Sequence, residues 1–196
     1  MNTVTSTSLK TLLLAASVAV STAASGQLQV GAVAGTALNI PVYKSDDGNQ
    51  SPDLYGKAVG GYAGFRVQYD FTPRFSLAGE ACYQVLPYTV KYLTGQLYPG
   101  YATLSVLPAY AVSPKVHIEA GIGSGFTVVS RFGDKVNNDP LLLTSLGLRF
   151  PLGRWGLSVR YYDFLRPINR ETTDRGTTTV SNRGVQVGVT YDLFRR

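Results

Sequence analysis

The chain has 196 residues, with 18 Lys and Arg, 12 Asp and Glu, one His and one Cys. A single cysteine excludes an internal disulfide framework and any zinc site built on several cysteines, and a single histidine excludes a three-histidine metal site. Charged residues make up only 15 % of the chain, against about 25 % in typical soluble domains. The composition therefore argues against much enzyme chemistry, and we expect no catalytic residue, no metal and no cofactor.

The first residues have the order of a secretory signal peptide. Lys10 precedes an apolar segment at residues 11–20, and small residues follow at positions 21–26. An apolar segment of about 7–15 residues before a small-residue cleavage site is typical of such a leader, and it is too short to span a bilayer as a helix. The sequence predicts a signal peptide at residues 1–26, cleaved before Gln27, and one domain at residues 27–196. Cleavage after Ala23 or Ala24 and an uncleaved N-terminal anchor are the alternatives.

After Gln27 the side chains alternate between apolar and polar. From residue 59 to residue 71 the odd positions are apolar, whereas the even positions include Arg66, Gln68 and Asp70. Successive side chains of a β-strand leave opposite faces, so this pattern indicates a strand between two different environments. Comparable alternation predicts eight strands, at residues 28–38, 59–71, 75–85, 98–112, 116–126, 142–152, 155–162 and 185–193.

The connections between these strands are alternately short and long. Tight turns are expected at residues 72–74, 113–115 and 153–154, because Pro presets φ and Gly accepts a positive φ. Longer polar loops are expected near residues 39–57, 87–97, 130–140 and 166–182. The arrangement predicts an all-β fold, an eight-stranded antiparallel up-and-down transmembrane β-barrel without a second domain.

The polar face of the strands carries few charges, which favours an exterior that faces lipid. A soluble barrel needs a surface with roughly 25–35 % charged residues, so a soluble periplasmic barrel is the less favoured alternative. In a membrane barrel the polar face lines the lumen, where charges have to neutralise one another. Five residues on this face lie at similar distances from the tight turns and predict a structural charge network: Arg66, Glu80, Glu119, Arg149 and Arg160.

Aromatic residues gather beside the tight turns or near the C-terminus. Tyr and Trp rings favour the membrane–water interface, and membrane barrels carry aromatic girdles at both edges. Six residues have this placement: Tyr69, Phe71, Phe75, Phe150, Trp155 and Tyr191. Their placement supports a membrane barrel over ordinary core packing.

The leader, the eight alternating strands, the short turns with long loops and the terminal Tyr191-Asp192-Leu193-Phe194 resemble a known family. The family is the small outer-membrane β-barrel proteins of Gram-negative bacteria, of the OmpA transmembrane-domain and OmpX type, and the resemblance covers residues 28–196. It implies location in the cell outer membrane, with the turns in the periplasm and the loops outside. It also implies contact with outer-membrane lipid and with the outer-membrane assembly machinery, which reads a C-terminal aromatic residue. Arg195 and Arg196 follow Phe194 here and depart from that signal.

Two residues, His117 and Cys82, are candidates for a chemical role because each is the single residue of its type in the chain. His117 lies on the polar face close to the turn at residues 113–115. A resemblance to outer-membrane lipid A deacylases would imply a Ser-His pair on the lipid-facing side near the outer leaflet, so His117 is on the wrong face and at the wrong end. We expect a hydrogen-bonded lumen histidine instead. Cys82, also on the polar face, is expected to be a small buried filler.

The loops contain three further patterns. The first pattern consists of Asp47, Asn49, Ser51 and Asp53, which resemble the start of a calcium loop. Pro52 stands where such a loop needs Gly, so a solvated hairpin tip is favoured. The second pattern is a Tyr-rich region with Tyr88, Tyr92, Tyr98 and Tyr101. Strand ends at the rim of the membrane explain it best. The third is a basic last loop that would contact phosphates of lipopolysaccharide: Arg166, Arg170, Arg175 and Arg183.

A barrel of eight strands is just wide enough for side chains to fill its interior. We therefore expect a non-enzymatic outer-membrane protein with a role in envelope integrity or in surface interaction through its loops. The alternatives are a narrow channel or a small-ligand-binding barrel, and after them a lipid A-modifying enzyme. No nucleic acid is expected as a partner, since the basic residues are scattered, and the sequence does not name an extracellular partner.

Overall fold

The computed structural model describes residues 27–45, 55–90, 96–129, 140–166, 169–173 and 176–196. The predicted signal peptide at residues 1–26 lies outside them. The described residues form these strands: β1 (Gln27–Ser45), β2 (Tyr55–Gly56), β3 (Ala58–Asp70), β4 (Phe75–Val85), β5 (Tyr88–Val90), β6 (Gln96–Leu97), β7 (Gly100–Ser113), β8 (Val116–Val129), β9 (Leu141–Leu152), β10 (Trp155–Phe164), β11 (Asn169–Thr173) and β12 (Gly176–Arg195).

Eight of these strands form a closed antiparallel barrel. Their order is β1-β3-β4-β7-β8-β9-β10-β12, and β1 also pairs with β12, which closes the sheet. Within the closed part of the sheet each strand pairs on both sides, a requirement in lipid because no water is present to satisfy unpaired backbone groups. The predicted eight-stranded antiparallel barrel is therefore confirmed, and each of the eight predicted segments corresponds to one barrel strand.

Local chemistry shapes the turns at one end of the barrel, called the turn end below. Thr72 Oγ1 accepts hydrogen bonds from the amides of Arg74, at 3.2 Å, and Phe75, at 2.9 Å. Gly153 adopts a φ of +68°, a conformation that side chains with a Cβ disfavour. The turns at this end join β3 to β4 through residues 71–74, β7 to β8 through residues 114–115 and β9 to β10 through residues 153–154, as the Pro and Gly residues predict.

The opposite end, called the loop end, contains more structure than the sequence predicts. β1 pairs with β12 as far as Ser45 and Thr178, whereas its pairing with β3 stops at Asn39 and Ala58. β11 adds to β12, so part of the predicted loop at 166–182 is a hairpin. The sequence of this extension mixes Thr, Ser, Asn and Lys with Val, so the apolar–polar alternation that reveals the buried strands is missing there.

The side chains of the barrel are arranged with polar groups inside and apolar groups outside. Phe65, Leu104 and Ile122 point outward and are more than half exposed, at 63 %, 64 % and 56 %. Between them along the strands lie buried polar residues such as Arg66, Thr103 and Glu119. A water-soluble barrel has the reverse order, so this surface matches a lipid environment.

Aromatic rings encircle part of the turn end. The rings of Trp155 and Tyr191 lie 4.6 Å apart between centroids, and those of Tyr69 and Phe71 lie 4.8 Å apart. The Arg154 guanidinium lies 5.3 Å from the centre of the Tyr191 ring. Rings with polar edges at this position suit the interface between hydrocarbon and water.

Candidate functional site in the lumen

The five charged residues selected from the polar face come together in the middle of the lumen. They project from β3, β4, β8, β9 and β10, and each is less than a tenth exposed: Arg66, Glu80, Glu119, Arg149 and Arg160. Arg66 Nη1 lies 2.6 Å from Glu80 Oε1, and its Nη2 lies 2.5 Å from Glu119 Oε1. Since β3 and β8 are not neighbours in the sheet, the second pair crosses the lumen.

Arg160 completes this cluster, which we call the charge layer. Its Nη1 lies 2.8 Å from Glu80 Oε2, and its Nη2 lies 3.4 Å from Glu119 Oε2. Arg149 is held more loosely, with its Nε 3.8 Å from Glu119 Oε1. Three arginines and two glutamates leave the layer with one uncompensated positive charge. Multiple hydrogen bonds offset the large desolvation penalty of Arg66, Arg160, Glu80 and Glu119.

Glutamine side chains continue the network toward the turn end. Gln68 Oε1 accepts hydrogen bonds from Arg66 Nη2, at 3.0 Å, and from Arg149 Nη1. Gln68 Nε2 donates to Asp70 Oδ1 at 2.6 Å, and Gln29 Nε2 donates to Asp70 Oδ2 at 2.7 Å. The amides thus connect the charge layer to a carboxylate near the mouth of the barrel.

The lumen near the loop end is closed by an apolar cluster, which we call the plug. Its members are buried and come from β1, β7, β9 and β10 and from the segment after β4: Ala37, Leu86, Tyr101, Leu141, Leu143, Tyr162 and Phe164. Leu86 is fully buried, and its amide donates to the Pro99 carbonyl at 3.2 Å. Between the plug and the charge layer a cavity of about 20 Å³ remains, which is room for about one water molecule.

Asn39 ties the plug to the barrel wall. Its Nδ2 donates to the Pro87 carbonyl at 3.1 Å and to Asn182 Oδ1 at 3.3 Å, and its Oδ1 accepts from the Tyr162 hydroxyl at 3.2 Å. Asn39 and Asn182 are both fully buried. No spacing or motif in the sequence indicated these asparagines or the segment at residues 86–88, since they lie where the periodicity ends.

We expect Asn39→Leu to lower the free energy of unfolding by about 1–3 kcal/mol, because the Tyr162 hydroxyl and the Pro87 carbonyl lose their buried partner. Urea unfolding of the protein in lipid vesicles measures this. Tyr162→Phe, which removes one hydroxyl from the same bond, should cost about 1 kcal/mol. Equal stability of Asn39→Leu and the unaltered protein would contradict the structural importance of Asn39.

The turn end holds a larger cavity, open to solvent, with a volume of about 840 Å³. Gln68, Asp70 and Arg149 form its floor, and His117 lines its wall. His117 is half-buried on the inner face, beside Arg149 in the register of β8 and β9. Cys82 also points inward, but it lines the small cavity under the plug.

The loop patterns fall partly outside the described residues. The calcium-like segment at residues 47–53, Tyr92 and Arg175 lie there, and Arg170 is described only in its backbone. Arg166 and Arg183 are exposed. The expectation of rim positions is wrong for Tyr88 and Tyr101, which are 5 % and 2 % exposed. Tyr101 lies in the plug because β7 keeps its inward register there, whereas Tyr88 is buried in β5, which pairs with β2 and β6 and not with the barrel.

Within the described residues, no helix is long and apolar enough to cross a membrane. The same residues contain no group of three His, Cys, Asp or Glu side chains placed to hold a metal ion.

No family model and no curated protein matches the chain. Among solved structures, the outer membrane protein OprG from Pseudomonas aeruginosa aligns with a TM-score of 0.52 at 13 % identity, covering 86 % of this chain and 96 % of that one. Neisserial surface protein A has a TM-score of 0.44 at 14 % identity and covers 86 % and 97 %. Ail from Yersinia pestis, in a phospholipid nanodisc, has a TM-score of 0.44 at 15 % identity and covers 83 % and 99 %. The likeness to OprG, with the closed sheet and the apolar exterior, shows that this chain has the fold of a small eight-stranded outer-membrane β-barrel.

Proposed function

We propose that this chain is a non-enzymatic protein of the outer membrane, with a sealed lumen, that supports envelope integrity or surface interaction through its loop end. On this proposal the signal peptide at residues 1–26 directs export, the turns face the periplasm, and the chain is a barrel of the OmpA and OmpX type. Its partners are outer-membrane lipid, phosphates of lipopolysaccharide and the outer-membrane assembly machinery, with the terminal Phe194 as the signal.

The observation that carries the proposal is the double obstruction of the lumen. The charge layer crosses the barrel with ion pairs such as Arg66 to Glu119 at 2.5 Å. The plug fills the loop end with Leu86, Tyr101 and Phe164, each at most 2 % exposed. Such packing among the described residues supports a sealed lumen over the water path that a narrow channel requires, and it favours a structural role for the five charged residues.

We expect the protein to show negligible conductance in planar lipid bilayers, because both the charge layer and the plug block the lumen. Recordings at both polarities, with a known porin as the positive control, test this expectation. Large and stable single-channel steps would contradict the sealed barrel and favour a channel, and a change of ion selectivity with Glu80→Lys would then locate the path.

The exposed surface of the loop end supports a role in contact rather than transport. β1, β12 and β11 continue beyond the pairing of β1 with β3, which ends at Asn39. Arg183, which is exposed, lies at the loop end of the barrel where this extension begins. Cationic side chains at this height would reach the phosphates of the outer leaflet.

A further inference from the structure

We propose that the turn-end cavity binds a small organic monocarboxylate, with Arg149 as its anchor. The volume of about 840 Å³ lies within the range of small-molecule sites. Its lining combines polar and apolar groups, as such sites do. Gln29 and Gln68 are among the polar residues, and Phe71, Phe75, Val112 and Pro114 are among the apolar ones.

The charge of the lumen favours an anion at Arg149. Arg66 and Arg160 each contact both glutamates at 2.5–3.4 Å, whereas the nearest glutamate oxygen to Arg149 is 3.8 Å away. The uncompensated positive charge of the layer therefore resides mainly on Arg149. Burying a charge without a close partner is costly, so an anion that reaches this guanidinium is stabilised.

The hydrogen bonds of Arg149 within the protein do not use all of its donors, and the one shown without a partner is buried. Its Nη1 donates to Gln68 Oε1, and its Nε has no hydrogen-bond partner among the described residues. A guanidinium has five N–H donors in a planar fork that matches a carboxylate. Arg149 is 8 % exposed and lines the floor of the cavity, so a ligand must enter the cavity to meet it.

The surrounding charges select a monoanion. Arg74 and Arg195 lie on the cavity wall and attract anions, whereas Asp70 on the floor repels them. The Asp70 carboxylate accepts hydrogen bonds from Gln29 and Gln68 and keeps its charge, but among the described residues it forms no ion pair with Arg149 within 4 Å. One uncompensated charge suits one carboxylate, and the rings of Phe71 and Phe75 suit an apolar body. The site does not depend on the role of the loop end, because the cavity lies at the turn end and no residue of the loop end lines it.

Titration of the folded, isotope-labelled protein in detergent micelles with sodium benzoate, followed by backbone amide NMR, tests the site. We expect saturable shifts at residues 68–76, 111–117 and 149, and much weaker shifts with the neutral benzamide. Arg149→Gln should weaken benzoate binding at least about tenfold, since it removes a hydrogen bond to a charged group. Arg154→Gln, the same change at an exposed turn residue outside the cavity lining, should leave binding unchanged. Asp70→Asn should tighten binding, and Arg74→Gln should weaken it, which keeps the test decisive if Arg149→Gln fails to fold.

Several results would overturn the monocarboxylate site. They are the absence of saturable shifts at millimolar benzoate, equal binding of benzamide, tighter binding of inorganic phosphate, and an equal loss with Arg154→Gln. A benzoate affinity that stays unchanged in both Asp70→Asn and Arg74→Gln would also overturn the site.

Discussion

Glu119→Gln is expected to lower the free energy of unfolding by about 3–5 kcal/mol, the range found when a buried ion pair loses one partner. Glu119 is 1 % exposed and lies within 4 Å of Arg66, Arg149 and Arg160. Its neutralisation would leave three arginines with one glutamate in a closed lumen. Urea unfolding in lipid vesicles, read by the gel mobility of folded and unfolded protein, measures the change.

Two controls separate the charge layer from a general loss of charge. Asp163→Asn removes a carboxylate at a half-buried position outside the layer and should cost no more than about 1 kcal/mol. The double variant Glu119→Gln with Arg66→Gln restores the net charge of the layer, so it should be more stable than the two single losses added together. Additive losses, or a loss with Glu119→Gln no larger than with Asp163→Asn, would show that the layer does not act as a unit.

Val159→Arg is expected to lower the free energy of unfolding in a bilayer by about 2–4 kcal/mol, because a charge at mid-depth on the lipid face loses its hydration. Val159 lies in the middle of β10 and is 40 % exposed, and its neighbours on the adjacent strands are Leu148 and Val187. The same unfolding measurement in vesicles gives the change.

Leu152→Arg is the matched control, since Leu152 is 62 % exposed beside the turn at residues 153–154. A charge near the interface should cost only about 0–1 kcal/mol. In a soluble barrel both arginines would be hydrated, and neither change would matter. Equal and small effects of the two substitutions would therefore contradict a lipid-facing exterior.

The barrel strands were predictable because the bilayer constrains each of them in the same way. Lipid on one side and a polar lumen on the other impose alternation, so residues such as Phe65 and Arg66 reveal the strand and both of its faces. The hairpin of β11 and β12 was missed because its sequence runs through successive polar residues, Thr177-Thr178-Thr179 among them, so apolar and polar residues do not alternate. The plug was missed for a related reason, since Leu86 lies after β4 has ended and no period connects it to Tyr101 or Phe164.

The charged residues show the limit of sequence reasoning most clearly. Alternation placed Arg66 and Glu119 on the polar face at comparable depth, but 53 positions separate them in the chain. Which carboxylate each arginine contacts depends on the closure of β1 on β12, since closure sets the distance across the lumen. The weaker contact of Arg149, and with it the positive charge of the turn-end cavity, follows from that geometry.

The amino-acid sequence by itself determined the eight strands of the barrel, the end at which the tight turns lie, and the side of each barrel strand that is apolar. Those properties are local, because the alternation of apolar and polar side chains can be seen within one short stretch of the chain. The tertiary structure alone decided the cross-lumen ion pairs, the plug and the open cavity at the turn end. Those properties need residues from distant strands at one depth, and only the closed, staggered sheet brings them there.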